Sequence, residues 1–126
     1  MKPLKLMKEY IKAFSSKNVS KIIPFYSFPM TILDKNAYNK NPHLIIRSKT
    51  ELKKYFGDLY KILNVLFRYK KTKIKKIKLI KSNKNYCVIE LHAERINDVN
   101  KIFNKIKLLY ILKKYDKNYK ICSFIV

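Results

Sequence analysis

The sequence predicts an α+β domain, with N-terminal helices packed on one face of a strongly curved antiparallel sheet. Two observations carry this. Apolar residues recur at helical spacing in the first half of the chain, and from Thr72 onward the period changes to two. A third sets the layout: turn residues cut the second half into long strands, which is the pattern of helices segregated on an antiparallel sheet.

Each element follows from local pattern. Leu4, Met7, Tyr10, Ile11 and Phe14 form one face of a helix over 4–16, with Lys5, Lys8, Glu9 and Lys12 on the other. Ser16 or Asn18 caps a second short helix, which Pro24 ends near Ile23. Phe28 to Leu33 reads as a strand, and Pro29 within it suggests an edge position or a strand start. Residues 34–42 form an exposed turn, and His43 to Arg47 a second short strand. Ser48 followed by Glu51 makes a capping box for a long helix reaching about Tyr69. Gly57 falls inside that helix, where a close approach to the sheet would explain it. Strands are expected at 72–82, 85–96, 102–115 and 118–126, joined by turns at Asn83-Lys84, Asn97 to Asn100 and Asp116 to Asn118. No linker or repeat divides the chain, so residues 1–126 read as a single domain.

Composition excludes more than it assigns. Glycine occurs once in 126 residues. Phosphate-cradling loops need glycines for close backbone approach and positive φ, so P-loop, dinucleotide, KH and RRM sites are excluded. The net charge is +22, from 30 basic and 8 acidic residues. Such charge attracts polyanions. Yet only Arg47, Arg68 and Arg95 are arginines, and Ile, Asn, Tyr and Phe are abundant. That bias is the mark of an AT-rich genome, and arginine is the residue that forks onto phosphate and guanine. Any nucleic-acid binding is therefore expected to be weak and non-specific. Lys70 to Lys78 holds six lysines in nine positions, and protection of an exposed edge strand accounts for them better than phosphate contact does. Cys87 and Cys122 read as reduced buried thiols, which fits a cytoplasmic location. Charges at Lys2, Lys5, Lys8, Glu9 and Lys12 interrupt any signal-peptide core, and no uncharged run is long enough to span a membrane.

The chain resembles a known group of folds. The resemblance rests on Tyr10-x-x-x-Phe14, the run Phe25-Tyr26-Ser27-Phe28-Pro29, and Glu51-Leu52 with Phe56 and Tyr60. It continues with Arg95 before a turn, Tyr110 to Lys114, and Tyr119-Lys120-Ile121. These are similar to the nuclear transport factor 2-like superfamily, which includes SnoaL-like cyclases and ketosteroid isomerase. Two departures stand out: Ile96 to Asn100 replaces the usual Asp-Gly turn, and Tyr119 the usual tryptophan. The resemblance implies a cone with an internal pocket for a small apolar or carbonyl-containing ligand. It implies no single chemistry.

Candidate catalytic residues follow. Glu90, His92 and Glu94 share one strand face, so a carboxylate could orient His92 as a general base. Glu90 and Glu94 stand about 13 Å apart along the strand and cannot share a proton. The same three residues serve equally as a polar sheet face. Asp34 and Tyr38 have the residue types of an acidic base and a hydroxyl donor, and are also ordinary turn residues. Tyr26, Phe56, Tyr60 and Tyr110 are candidates to line the pocket, or to fill the core. Two lone histidines make no metal set, and no cofactor or metal is expected. Catalysis stays open, with lyase, isomerase or cyclase chemistry the class in view; the alternatives are a basic nucleic-acid-binding module and a non-catalytic dimeric accessory protein. The meander carries Ile106, Leu108, Tyr110 and Leu112 on one face, and Phe103, Leu109 and Ile111 on the other. Helices cover only one face, so a homodimer through the sheet is expected.

Overall fold

The computed structural model describes residues 1–34 and 43–126. Helix α1 (Pro3–Ser15) buries Leu6, Met7, Tyr10, Ile11 and Phe14 along one stripe. Lys17 at positive φ turns the chain. The Asn18 side chain then accepts from Ser20 N and caps α2 (Val19–Ile22), which passes into a 3₁₀ turn, Ile23–Phe25. Strands β1 (Tyr26–Leu33) and β2 (His43–Ile46) precede the long helix α3 (Lys49–Phe67). Ser48 Oγ accepts from Glu51 N, and the Glu51 carboxylate reaches one residue further back than in a standard capping box, to Arg47 N at 2.6 Å. Arg68 ends α3 in the left-handed region, at φ 52°.

The second half is a meander of long strands: β3 (Tyr69–Ser82), β4 (Tyr86–Asn97), β5 (Ile102–Tyr115) and β6 (Asn118–Ile125). The sheet order is β2-β1-β6-β5-β4-β3. The helices and the inner face of this curved, open sheet enclose the core, as expected for an α+β cone. No helix among the described residues is long and apolar enough to cross a membrane.

Four expectations are corrected. The sheet is mixed rather than antiparallel, because the meander returns β6 beside β1 in the same direction. β1 is not an edge strand. Pro29 is tolerated because it lies where the β1–β6 register breaks, between Tyr26 and Thr31, just before β2 pairing begins at Met30. Phe103 does not join Leu109 and Ile111 on the outer face. The register shift between Arg95–Asn104 and Ile96–Ile102 leaves Phe103 as an extra residue, and its ring stacks on Phe67 at the end of α3, 4.9 Å between centroids. Finally, Gly57 has no close neighbour: a Cβ built there meets nothing within 4 Å.

That last finding gives a direct test. Gly57→Ala adds a methyl to open space and removes the backbone-entropy cost of glycine in a helix. It should stabilise the fold by about 1 kcal/mol. Calorimetry should show a higher Tm; an unchanged or lower Tm would show that the glycine serves the fold.

Candidate functional site

The inner face of the meander is built in rungs. In-register partners place Leu79, Ile89 and Tyr110 side by side, then Ile77, Leu91 and Leu108, then Ile74, Ala93 and Ile106. The next rung is Thr72, Arg95 and Asn104, polar across three strands. Strand parity puts it there: residues two apart share a face, so Arg95 follows Leu91 and Ala93 inward.

Between these rungs and the helices lies a cavity of about 630 Å³. Helix α1 contributes Tyr10, Ile11 and Phe14 to its wall, and α3 contributes Tyr55, Phe56 and Leu59. Tyr110 and the whole polar rung line it, as does Asp34 at the end of β1. Residues 104–109 of β5 line it continuously. The first β5–β6 pair is Leu109 with Ile125, so the preceding stretch has no β6 neighbour to cover its edge. That uncovered edge forms part of the opening.

The residues singled out from sequence divide between wall, core and exterior. Phe56, Tyr110 and Asp34 are on the wall. Asp34 also makes an interaction of its own. Tyr38 lies outside the described residues. Tyr26 and Tyr60 belong to the core behind the wall, because their hydroxyls are committed elsewhere. Tyr26 pairs with the Tyr10 hydroxyl, and Tyr60 donates to the Phe14 carbonyl at 2.6 Å.

Glu90 and His92 face away from the cone. Leu91, Ala93 and Ile89 take the inner side of β4, so parity sends Glu90, His92 and Glu94 outward. There Lys107 Nζ lies 3.0 Å from Glu90 Oε1, His92 Nε2 lies 3.3 Å from the same oxygen, and Lys75 Nζ lies 3.8 Å from Glu94. Hydrogen bonds from Lys107 and then His92 hold the Glu90 carboxyl below the usual carboxylate range. The base role expected of this group in the cone fails on geometry. It is a solvated ion-pair cluster on the outer face.

Sequence reasoning passed over Arg95 as a site residue. The signal was present: a rare arginine in phase with Leu91 and Ala93, on the apolar side of its strand. Arg47 and Arg68 are exposed, whereas Arg95 is partly buried on the cavity wall. Its Nε is buried with no hydrogen-bond partner. Burial pushes both cysteine thiols up from their ordinary values. Among the described residues no group of His, Cys, Asp or Glu could hold a metal.

With the fold and cavity in place, the kinship of the chain can be stated. The sequence profile described as NTF2-like protein (DUF6841) matches residues 4–126, and the chain belongs to that family. No curated protein matches by sequence. Solved structures share the fold. A protein of unknown function with a cystatin-like fold from Nostoc punctiforme aligns with TM-score 0.73 and 11% identity, over 97% of this chain and 84% of that one. An NTF2-like protein with a cystatin-like fold from Novosphingobium aromaticivorans aligns with TM-score 0.73 and 4% identity, over 96% and 75%. A ketosteroid isomerase-like protein from Erwinia carotovora aligns with TM-score 0.66 and 12% identity, over 96% and 88%.

The tyrosines around the cavity make the fold sensitive to alkali. Burial raises the pKa values of Tyr10, Tyr26, Tyr60, Tyr69 and Tyr110 above the ordinary tyrosine value. The folded state therefore holds these protons to higher pH than the unfolded chain does. Their contribution to stability is complete below about pH 10 and is lost as pH rises beyond it. An alkaline titration at 295 nm should show tyrosinate from these five appearing only together with loss of the circular dichroism signal. One smooth wave with the fold intact would contradict the assignment.

Proposed function

Taking this NTF2-like chain with the cavity it encloses, we propose that the protein binds a small, partly apolar molecule inside the cone. One observation carries the reading: aromatic rings from two helices wall a cavity of about 630 Å³ whose polar lining is the Thr72, Arg95 and Asn104 rung, a few hydroxyls, Asp34, Lys105 and Lys107. That combination of apolar surface with a few placed polar groups is the usual constitution of a small-molecule site.

A thermal-shift screen of small aromatic and carbonyl compounds tests it. A ligand at a hundredfold excess over its Kd adds about 2.7 kcal/mol, a Tm rise on the order of 10 °C for a domain of this size. Leu59→Trp places a larger side chain at the wall and should abolish the rise while leaving the far-UV spectrum unchanged. A hit whose binding survives Leu59→Trp would locate the site elsewhere.

Proton transfer is the second reading, and Asp34 favours it as the one carboxylate among the described residues of the cavity wall. Asp34 would be the base and Tyr110 a hydroxyl donor toward a carbonyl. Asp34→Asn should then leave ligand binding intact and remove turnover.

We also infer that two copies pair through the outer sheet face. Ile45, Thr31, Ser123, Ile111 and Val88 form one outward rung, and Leu33, Ile125 and Leu109 lie in the next. Leu33 and Ile45 are 41% and 44% exposed in the single chain. A largely apolar patch, interrupted by the hydrogen-bonded pair Thr31 and Ser123 and set beside charged residues, suits an isologous interface. Sedimentation should give a dimer, and Ile111→Glu should give a folded monomer. A monomer at all concentrations would refute the interface.

A further inference from the structure

The cavity wall carries an arginine that no ion pair among the described residues neutralises. The chain has eight carboxylate side chains. Glu9, Glu51, Asp58 and Asp116 are exposed. Glu90 and Glu94 are on the outer face with lysines, and Asp98 pairs with Arg68. Asp34 is on the cavity wall, engaged in an interaction of its own. Arg95 is in none of the ion pairs of the described residues. Its Nε has no hydrogen-bond acceptor although it is buried.

The groups on which Arg95 acts are neutral phenols rather than carboxylates. Arg95 acts electrostatically on Tyr60, Tyr69 and Tyr110, lowering each pKa against the effect of burial. Within the rung, Thr72 is fixed by its own bonds: its hydroxyl pairs with the Tyr69 hydroxyl at 2.6 Å, and its N–H donates to Ser15 Oγ at 3.0 Å. An arginine in such a setting carries a desolvation cost that only an incoming anion offsets fully.

We propose that Arg95 is the anion-recognition residue of the cone, and that the ligand joins an apolar or aromatic body to a single carboxylate. The inference rests on the pocket reading and names its ligand class. A guanidinium presents a planar fork that matches one carboxylate with two parallel bonds. A phosphate dianion fits less well. The described lining residues of α1 and α3 stand away from the helix N-termini, the chain has no glycine loop, and of the two lysines on the same stretch of β5, Lys107 directs its amine to Glu90 outside while Lys105 offers a point charge without a fork. The apolar rungs and the rings of Tyr10 and Phe56 then take the body of the ligand.

Paired probes test this by calorimetric titration: phenylacetate, cinnamate and hexanoate, each against its uncharged primary amide, with phenyl phosphate alongside. The wild-type protein should bind at least one acid about 10- to 100-fold more tightly than its amide, the range of a charge-assisted hydrogen-bonded pair. Arg95→Met should abolish that preference and leave the amide affinity unchanged. Arg95→Lys, which keeps the charge but loses the fork, should retain only part of it. The Arg95 Nε–H resonance should shift on adding the acid and not on adding the amide. Without ligand, Arg95→Met should melt no lower than wild type, because it removes an unpaired charge.

Acid and amide binding equally well, or phenyl phosphate binding best, would overturn the carboxylate assignment and leave the pocket reading standing. Binding of neither class to wild type would remove both. A large loss of stability in both Arg95→Met and Arg95→Lys would make the residue structural and overturn the inference.

Discussion

The two layers of the fold close on Tyr10. Its ring meets Phe25 and Tyr26 at 5.5 Å and Tyr110 at 5.9 Å, all edge to face, and its hydroxyl pairs with that of Tyr26. One turn on, Phe14 contacts Phe56 and Tyr60 of α3 and Tyr69 of β3. Helix α1 thus works as a wedge, joining the sheet on one side to α3 on the other through aromatic rings. Rings have few rotamers and prefer fixed mutual angles, so they hold the layers apart instead of collapsing together. The cavity lies between the layers this wedge joins, with Tyr10 and Phe14 of the wedge on its wall.

Most of the fold was legible because two periods are written plainly in the chain. The stripe from Leu4 to Phe14, the Ser48 cap and the four meander strands all lie within a few residues of where pattern places them. What pattern could not give was geometry between distant segments. The direction of β6 beside β1 depends on where the meander ends in space. The place of Phe103 depends on one bulge. Gly57 could not be explained by contacts that do not exist. The site was less legible for a different reason. The apolar residues Ile89, Leu91 and Ala93 already pointed to the inner side of β4, but His92 and its carboxylates looked chemically richer. Read by parity alone, that strand offers the cone its arginine instead of its histidine.

The high charge takes on a plainer meaning in three dimensions. β3 is an edge strand, and Lys70, Lys71, Lys73, Lys75, Lys76 and Lys78 are all exposed along it. A long edge with unpaired backbone groups invites unwanted pairing, and a row of lysines opposes it by repulsion and solvation. Lys75 of this row also meets Glu94, and Lys107 of β5 meets Glu90, across the outer face. In these positions lysine needs only to be charged and long, so codon bias can supply it freely. Arginine is distinguished by its planar fork. In a chain where lysine fills almost every position that needs only a positive charge, an arginine on the inner sheet face is the more informative cation.

The polar rung can therefore be divided by what each group gains when a ligand arrives. Thr72 already has its partners in Tyr69 and Ser15, so it shapes the wall without changing state. The apolar rungs and rings gain contact area, a contribution that scales with size and discriminates weakly between similar ligands. Arg95 differs from both. Its Nε is buried without an acceptor, and the proposed ligand would supply one. Selectivity comes from interactions that differ between free and bound states, and a buried donor without a partner is the largest such difference available on this wall. On the proposed reading, the cavity would set which molecules fit, and the Arg95 guanidinium which of those the cone favours.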